Sequence, residues 1–154
     1  ELHRRIDAFA DAHAGMHAAV AAREGMCGHY SPVLVDVFLD HVLAAEWAAH
    51  SAVPLAEFAR HVYDVLLSAR GLLPERACLA VCAMAADDWL SSYATLDGMR
   101  LALTRMSARL RHGVELAPAV DDFYHARPVF RRAFDALFPA LCRHVAAPQW
   151  RMAS

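Results

Sequence analysis

The run from Ser31 to Leu43 constrains this chain more than any other stretch: Ser-Pro, then Val33, Leu34, Val35, Val37, Phe38, Leu39, Val42 and Leu43. Serine is a strong N-cap and proline suits the first helical position, so the start is well marked. Leu34, Phe38, His41, Val42 and Ala45 recur at three- and four-residue steps, and the spacing predicts a helix to about His50. So apolar a helix has to be buried. Yet it carries Asp36, Asp40 and His41. Carboxylates and imidazoles are costly in such a run unless they are paired, hydrogen-bonded or bound to metal. Asp36 and Asp40 are four apart and share a helix face.

The remaining sequence reads as a helical frame for that segment. Residues 1–24 carry helical spacing in two pieces, with Ile6, Phe9 and Ala10 on one face and His13, Met16, His17 and Val20 on another. The segment from Asp11 to Gly15 is the expected turn between them, and Gly25 and Gly28 the expected end. Pro54 opens a helix with Leu55, Phe58, Val62, Val65 and Leu66 as its core face, and Gly71 stands where a C-cap belongs. Pro74 opens the next, through Cys78, Leu79, Cys82, Trp89 and Leu90 to Tyr93. Asp97 is placed to cap a helix over Met99, Leu103, Met106 and Leu110, with Gly113 at its end. Pro118 opens a last long stretch containing Val120, Phe123, Phe130, Phe134, Leu137, Phe138 and Leu141, in which Pro128 and Pro139 are expected to kink or break the helix. No stretch shows sustained strand alternation. The reading is all-α: a single-domain helical bundle over residues 1–147, followed by a frayed tail at 148–154.

Composition excludes several classes. The 154 residues are 58% hydrophobic, much of it alanine, which favours helix and buries little. There is no lysine, and the net charge is −2, which argues against a general nucleic-acid binder. No apolar run reaches the roughly 18 residues of a membrane-spanning helix, and no signal core follows the first residues. The four cysteines (Cys27, Cys78, Cys82 and Cys142) do not resemble a disulfide scaffold, so a reduced, cytoplasmic protein is expected.

The candidate chemistry lies in the first third of the chain. His3 and Asp7 are four apart; on a helix they either reach one cation together or form an exposed pair. Asp36, Asp40 and His41 are either a second ligand set or an acidic solvent face beside a satisfied core histidine. The two sets together, flanked by Arg4 and Arg5, point to a divalent metal site that handles phosphate. Mn²⁺ or Mg²⁺ on carboxylates and imidazole lowers the pKa of bound water and polarises a phosphoryl oxygen. Arginine clamps phosphate oxygens in bidentate geometry. Cys78 and Cys82 read as core packing, and His13, His17 and His29 as surface histidines. Arg100, Arg105, Arg109 and Arg111 give one helix a basic side, either a solvated face or a docking surface for an acidic partner.

These residues carry a family resemblance. His3-Arg4-Arg5-Ile6-Asp7-x-x-x-Asp11, then Asp36-x-x-x-Asp40-His41-x-Leu43-x-x-x-Trp47, resembles the bacterial acyl carrier protein phosphodiesterases. Supporting positions follow at Trp89-Leu90-x-x-Tyr93, Met106-x-x-Arg109 and Phe134-x-x-x-Phe138-Pro139. The resemblance implies an all-helical, HD-domain-like phosphohydrolase that removes the 4′-phosphopantetheine arm from holo acyl carrier protein, with manganese in support. It implies that His3, Asp7, Asp36, Asp40 and His41 serve as metal ligands or acid–base groups, with His3, Asp7 and Asp40 the expected ligands and Asp36 and His41 the expected catalytic groups beside a phosphate contact at Arg4. Arg100, Arg105 and Arg109 would then face the acidic carrier. Family members carry a segment ahead of the His-Arg motif whose His and Asp are further candidate ligands; this chain begins just inside that motif. Two alternatives stand beside this expectation: an HD-like phosphohydrolase of a nucleotide or other small phosphoester, and a non-enzymatic helical adaptor for an acidic partner.

Overall fold

The computed structural model describes residues 2–21, 30–110 and 113–146. Gly25, Cys27, Gly28, His29, Arg111 and the tail expected to fray at 148–154 lie outside the described residues. The helices are α1 (Leu2–Asp11), α2 (Ala14–Ala21), α3 (Ser31–Ala45), α4 (Leu55–Ser68), α5 (Glu75–Ala86), α6 (Trp89–Ser92), α7 (Leu96–Ser107) and α8 (Ala119–Ala146). No strand occurs among the described residues, so the fold is all-α as expected. No described helix is long and apolar enough to cross a membrane.

The chain forms two compact units, Glu1–Leu39 with Asp121–Ser154, and Asp40–Val120. The core of the first is built on three fully buried rings. Phe38 of α3 lies 4.7 Å from Phe123 and 5.0 Å from Phe130 of α8, the second contact edge-on, and Phe123 and Phe130 are 5.3 Å apart. Leu34 and Val35 are also fully buried, and Ala133, Phe134 and Leu137 extend the core along α8. The turn between α1 and α2 falls at Ala12 and His13, inside the expected segment. His13 Nδ1 accepts the Gly15 N–H at 3.0 Å and so takes up one of the unpaired donors at the start of α2. A Cβ on Gly15 would stand 3.0 Å from the Ala133 carbonyl, so the missing side chain lets α2 approach the backbone of α8.

In the second unit α4 packs on α5 and α6, and α6 packs on α7. The buried core includes Val42, Ala59, Tyr63, Val81, Met99, Leu103 and Leu116. A Cβ on Gly98 would fall within bonding range of the Ser92 backbone, so α7 can meet the end of α6 only through glycine.

Several boundaries differ from the sequence expectation, each through a contact that spacing does not encode. α3 stops at Ala45 rather than near His50, and Trp47–Ala49 form a 3-10 turn. There Trp47 Nε1 donates to the Val53 carbonyl at 2.7 Å and folds the chain back. Gly71 is not a C-cap: α4 ends at Ser68 with Ala69 as its C-cap, and Gly71 sits in a 3-10 turn, Arg70–Leu72. The helix from Pro74 does not reach Tyr93, because Asp88 takes a left-handed conformation with φ 44° and splits it into α5 and α6. The α7 cap is Thr95, which accepts the Gly98 N–H, with Asp97 in the first turn instead; Gly113 lies beyond the helix end at Ser107. α8 passes through Pro128 and Pro139 without a break. The carbonyls that lose their helical donors belong to Tyr124 and Asp135, both exposed residues, so water can satisfy them. On α4, Phe58 and Val65 are exposed while Ala59 and Tyr63 are buried, so the core face is rotated from the expected one.

Tyr63 secures the corner at Asp88. Its hydroxyl donates to Asp88 Oδ1 at 3.2 Å and accepts the Leu90 N–H at 2.7 Å. Nearby, Ser91 Oγ is buried with no hydrogen-bond partner among the described residues. Substitutions at these two sites should therefore move stability in opposite directions. Tyr63→Phe removes the Leu90 acceptor and is expected to lose about 1–2 kcal/mol. Ser91→Ala removes a desolvated hydroxyl and is expected to leave stability unchanged or raise it by up to about 1 kcal/mol. Urea titration of the two variants against the parent checks both signs.

Candidate functional site

In the first unit, α1 presents Arg4, Asp7 and Asp11 to solvent, and α3 presents Asp36. Asp36 keeps part of its surface in water, but the protein around its carboxyl desolvates the charge. That burial raises its pKa above the ordinary 3.8, and the negative charges of Asp11 and then Asp7 raise it further. Asp7 and Asp11 thus lie near enough for Asp36 to feel both charges. Among the described residues, no group of three or more His, Cys, Asp or Glu side chains is arranged to hold a metal ion. The His3 side chain lies outside the described residues. In kind, the donors suit a hard divalent cation, because carboxylate oxygens are its preferred ligands and their mutual repulsion is what a cation relieves.

In the second unit, Asp40 is exposed and His41 is buried, 5% accessible. His41 Nδ1 lies 2.8 Å from the Tyr93 carbonyl oxygen. A carbonyl can only accept, so Nδ1 carries the proton and, in the neutral ring, Nε2 carries the lone pair. The contact fixes both tautomer and ring orientation, as a base or a ligand requires. Asp40 also lines a cleft of about 130 Å³ with Leu43, Trp47, Phe58, Leu90 and Tyr93. Burial pushes the Tyr93 hydroxyl above its usual range and the Asp40 charge adds to the shift, so Tyr93 stays protonated there.

Of the residues singled out in the sequence, Asp7 and Asp36 are thus brought together with Asp11, and Asp40 and His41 with Tyr93. Asp11 and Tyr93 were not among the assigned site residues. Asp11 repeats the four-residue step from Asp7, and Tyr93 stands in one of the resemblance motifs; those were their only signals. The basic helix is partly engaged within the protein. Arg100 is half-buried, with Nη1 3.4 Å from the Ala117 carbonyl. Arg105 pairs with the Asp87 carboxylate and lies 5.1 Å above the Trp89 ring, and Arg109 lies 5.6 Å from the same ring.

Comparison with known proteins gives a consistent result. A family model described as acyl carrier protein phosphodiesterase matches residues 1–141. Proteins of that name from Klebsiella pneumoniae (strain 342) and Enterobacter sp. (strain 638) are each 28% identical over 109 residues, 70% of this chain and 56% of the relative. The chain spans just over half the length of these curated relatives. No solved structure matches.

The raised pKa of Asp36 has a definite consequence for stability. A group whose pKa is higher folded than unfolded favours the folded state fully below the unfolded value, and that contribution is lost as pH rises through the folded value. For Asp36 the loss begins near 3.8 and is complete above its raised folded value. Asp36→Asn, neutral at every pH, is expected to be more stable than the parent at pH 7 and to lose that advantage below about pH 4. Denaturant titrations at the two pH values, with a chelator present, would show equal offsets if Asp36 were not desolvated and crowded by Asp7 and Asp11.

Proposed function

The chain belongs to the acyl carrier protein phosphodiesterase family, and on that premise we propose that it is a metal-dependent phosphodiesterase acting on holo acyl carrier protein. In this reading it hydrolyses the phosphodiester that joins the 4′-phosphopantetheine arm to a serine of the carrier, giving the apo protein and the free arm. The observation that carries it is the family match across residues 1–141.

The residue chemistry supports the reading. Hydrolysis needs three things: a water that loses a proton as it adds to phosphorus, a serine oxygen that gains one as its bond to phosphorus breaks, and cover for the phosphoryl charge. A bound divalent ion, Mn²⁺ or alternatively Mg²⁺, supplies Lewis acidity toward phosphoryl oxygen and acidifies water. His3, Asp7 and Asp40 are its proposed ligands. Asp36 holds its proton more tightly than an ordinary aspartate, which suits a proton donor to the leaving serine oxygen. His41, with Nδ1 tied to the Tyr93 carbonyl, is the proposed base, with Nε2 as its basic nitrogen. Arg4, exposed on α1, is the proposed phosphate contact. Arg100, Arg105 and Arg109 are the proposed docking surface for an acidic carrier, and Trp89 braces the latter two.

Intact-mass spectrometry of holo acyl carrier protein incubated with the full-length protein and Mn²⁺ tests this directly. The carrier is expected to lose the mass of the phosphopantetheine arm. A chelator and Asp40→Ala are each expected to block the loss, and Mn²⁺ to raise the melting temperature of the parent but not of Asp40→Ala. A carrier that keeps its mass under these conditions would overturn the proposal.

A further inference from the structure

The second unit holds a feature that phosphate chemistry does not use. The cleft beside Asp40 has mainly apolar walls, with Leu43, Trp47, Leu55, Phe58 and Leu90 among them, and no cationic side chain among the described residues lines it. Among the described residues that line it, Asp40 carries the charge and Tyr93 the hydroxyl. An anion is therefore unwelcome inside it. A broader, shallower depression of about 450 Å³ shares Ala44, Trp47 and Leu55 with the cleft, so an extended chain has a continuous path from one to the other. Trp47 is fixed in this wall because its Nε1 is committed to the Val53 carbonyl. The polar pair at the cleft is one protonated hydroxyl and one carboxylate, a donor and an acceptor. An amide needs that pairing from its surroundings when it leaves water.

We propose that this cleft seats the neutral pantetheine portion of the substrate's prosthetic arm, with its amide-bearing chain against Trp47, Phe58 and Leu90. The inference rests on the phosphodiesterase reading. Asp40 is the hinge of the argument, since it is both a proposed metal ligand and part of the cleft lining. A phosphate handled at Asp40 has its attached chain next to this apolar wall. The cleft then acts as a specificity element: it recognises the arm, while the carrier protein and the phosphate are recognised elsewhere. Binding energy gained on this remote chain positions the phosphodiester for attack.

The test separates this inference from the reading beneath it. Pantetheine itself, which carries no phosphate, is the probe, and saturation-transfer NMR on the full-length protein is the readout. Pantetheine is expected to bind the parent. Ala44→Leu, which fills the cleft, and Phe58→Ala, which removes a part-exposed wall, are each expected to weaken it roughly tenfold. The same variants are expected to raise KM for holo acyl carrier protein roughly tenfold while leaving the Mn²⁺ shift in melting temperature unchanged. Three results would overturn the inference: no pantetheine binding to the parent, variants that cleave holo carrier with unchanged kcat/KM, or tetramethylammonium binding in place of pantetheine, which would make the cleft a cation box instead. Pantetheine binding without any carrier cleavage would remove the phosphodiesterase reading and leave the cleft assignment standing.

Discussion

α3 has to be buried, and the carboxylates it carries have to stay wet; the site depends on both being met by one helix. Leu34, Val35 and Phe38 are fully buried, and Phe38 is clamped between Phe123 and Phe130 of α8. Aromatic rings in such contact dominate the energetics of a small core. With that face fixed, helical geometry sorts the rest. Asp36 and Asp40, one turn apart, fall together on the exposed strip. His41, one residue further round, falls inside, where its Nδ1 meets the Tyr93 carbonyl. That hydrogen bond both helps satisfy the buried ring and sets its tautomer.

The same sorting explains what the sequence could tell. Where local signals decide, the expectation held: the apolar period of α3, the turn before α2, and the burial of Val120, Phe123, Phe130, Phe134 and Leu137 on α8. It failed where a distant partner decides. Nothing in Asp87-Asp88 announces a helix break, because the hydroxyl that donates to Asp88 and accepts the Leu90 N–H belongs to Tyr63, on another helix. Nothing in Trp47 announces that its ring nitrogen turns the chain at Val53. The candidate site divides along the same line. Asp7, Asp36, Asp40 and His41 were visible as ligand-type residues at helical spacing. Tyr93 was not, because its part in the site is made by its backbone carbonyl and by its ring as a cleft wall.

The basic helix gains meaning from a contact that spacing cannot reveal. Arg105 and Arg109 are four apart on the sequence, and both guanidinium groups lie over one indole, that of Trp89. Exposed charge pairs contribute little to stability, and cation–π contacts at accessible sites add only about 0.5–1 kcal/mol. Their larger effect is on order. A long arginine side chain loses considerable rotamer freedom when it meets a partner, and an arginine already held over a ring loses less. Asp87 has the opposite effect, since it neutralises part of the Arg105 charge. Arg109, exposed and stacked, therefore retains more charge for an acidic partner than Arg105 does.

The acidic cluster is best understood against another pair in the same unit. On α8, Asp135 lies four residues from Arg131, and the two form a 2.8 Å ion pair. On α1, the same step from Asp7 reaches Asp11, a second carboxylate, and Asp36 joins them from α3. Like charges at that spacing cost a helix roughly what opposite charges contribute, about 0.2–0.5 kcal/mol. On α8 the chain places an arginine at that step, and at these three positions it places carboxylates. Burial raises the pKa of Asp36 most, and the charges of Asp11 and Asp7 add to the shift. Local choices that oppose the fold tend to sit where a protein binds or reacts. Gathered carboxylates repel one another without a cation and suit one that binds, which is the physical sense of the metal site proposed above.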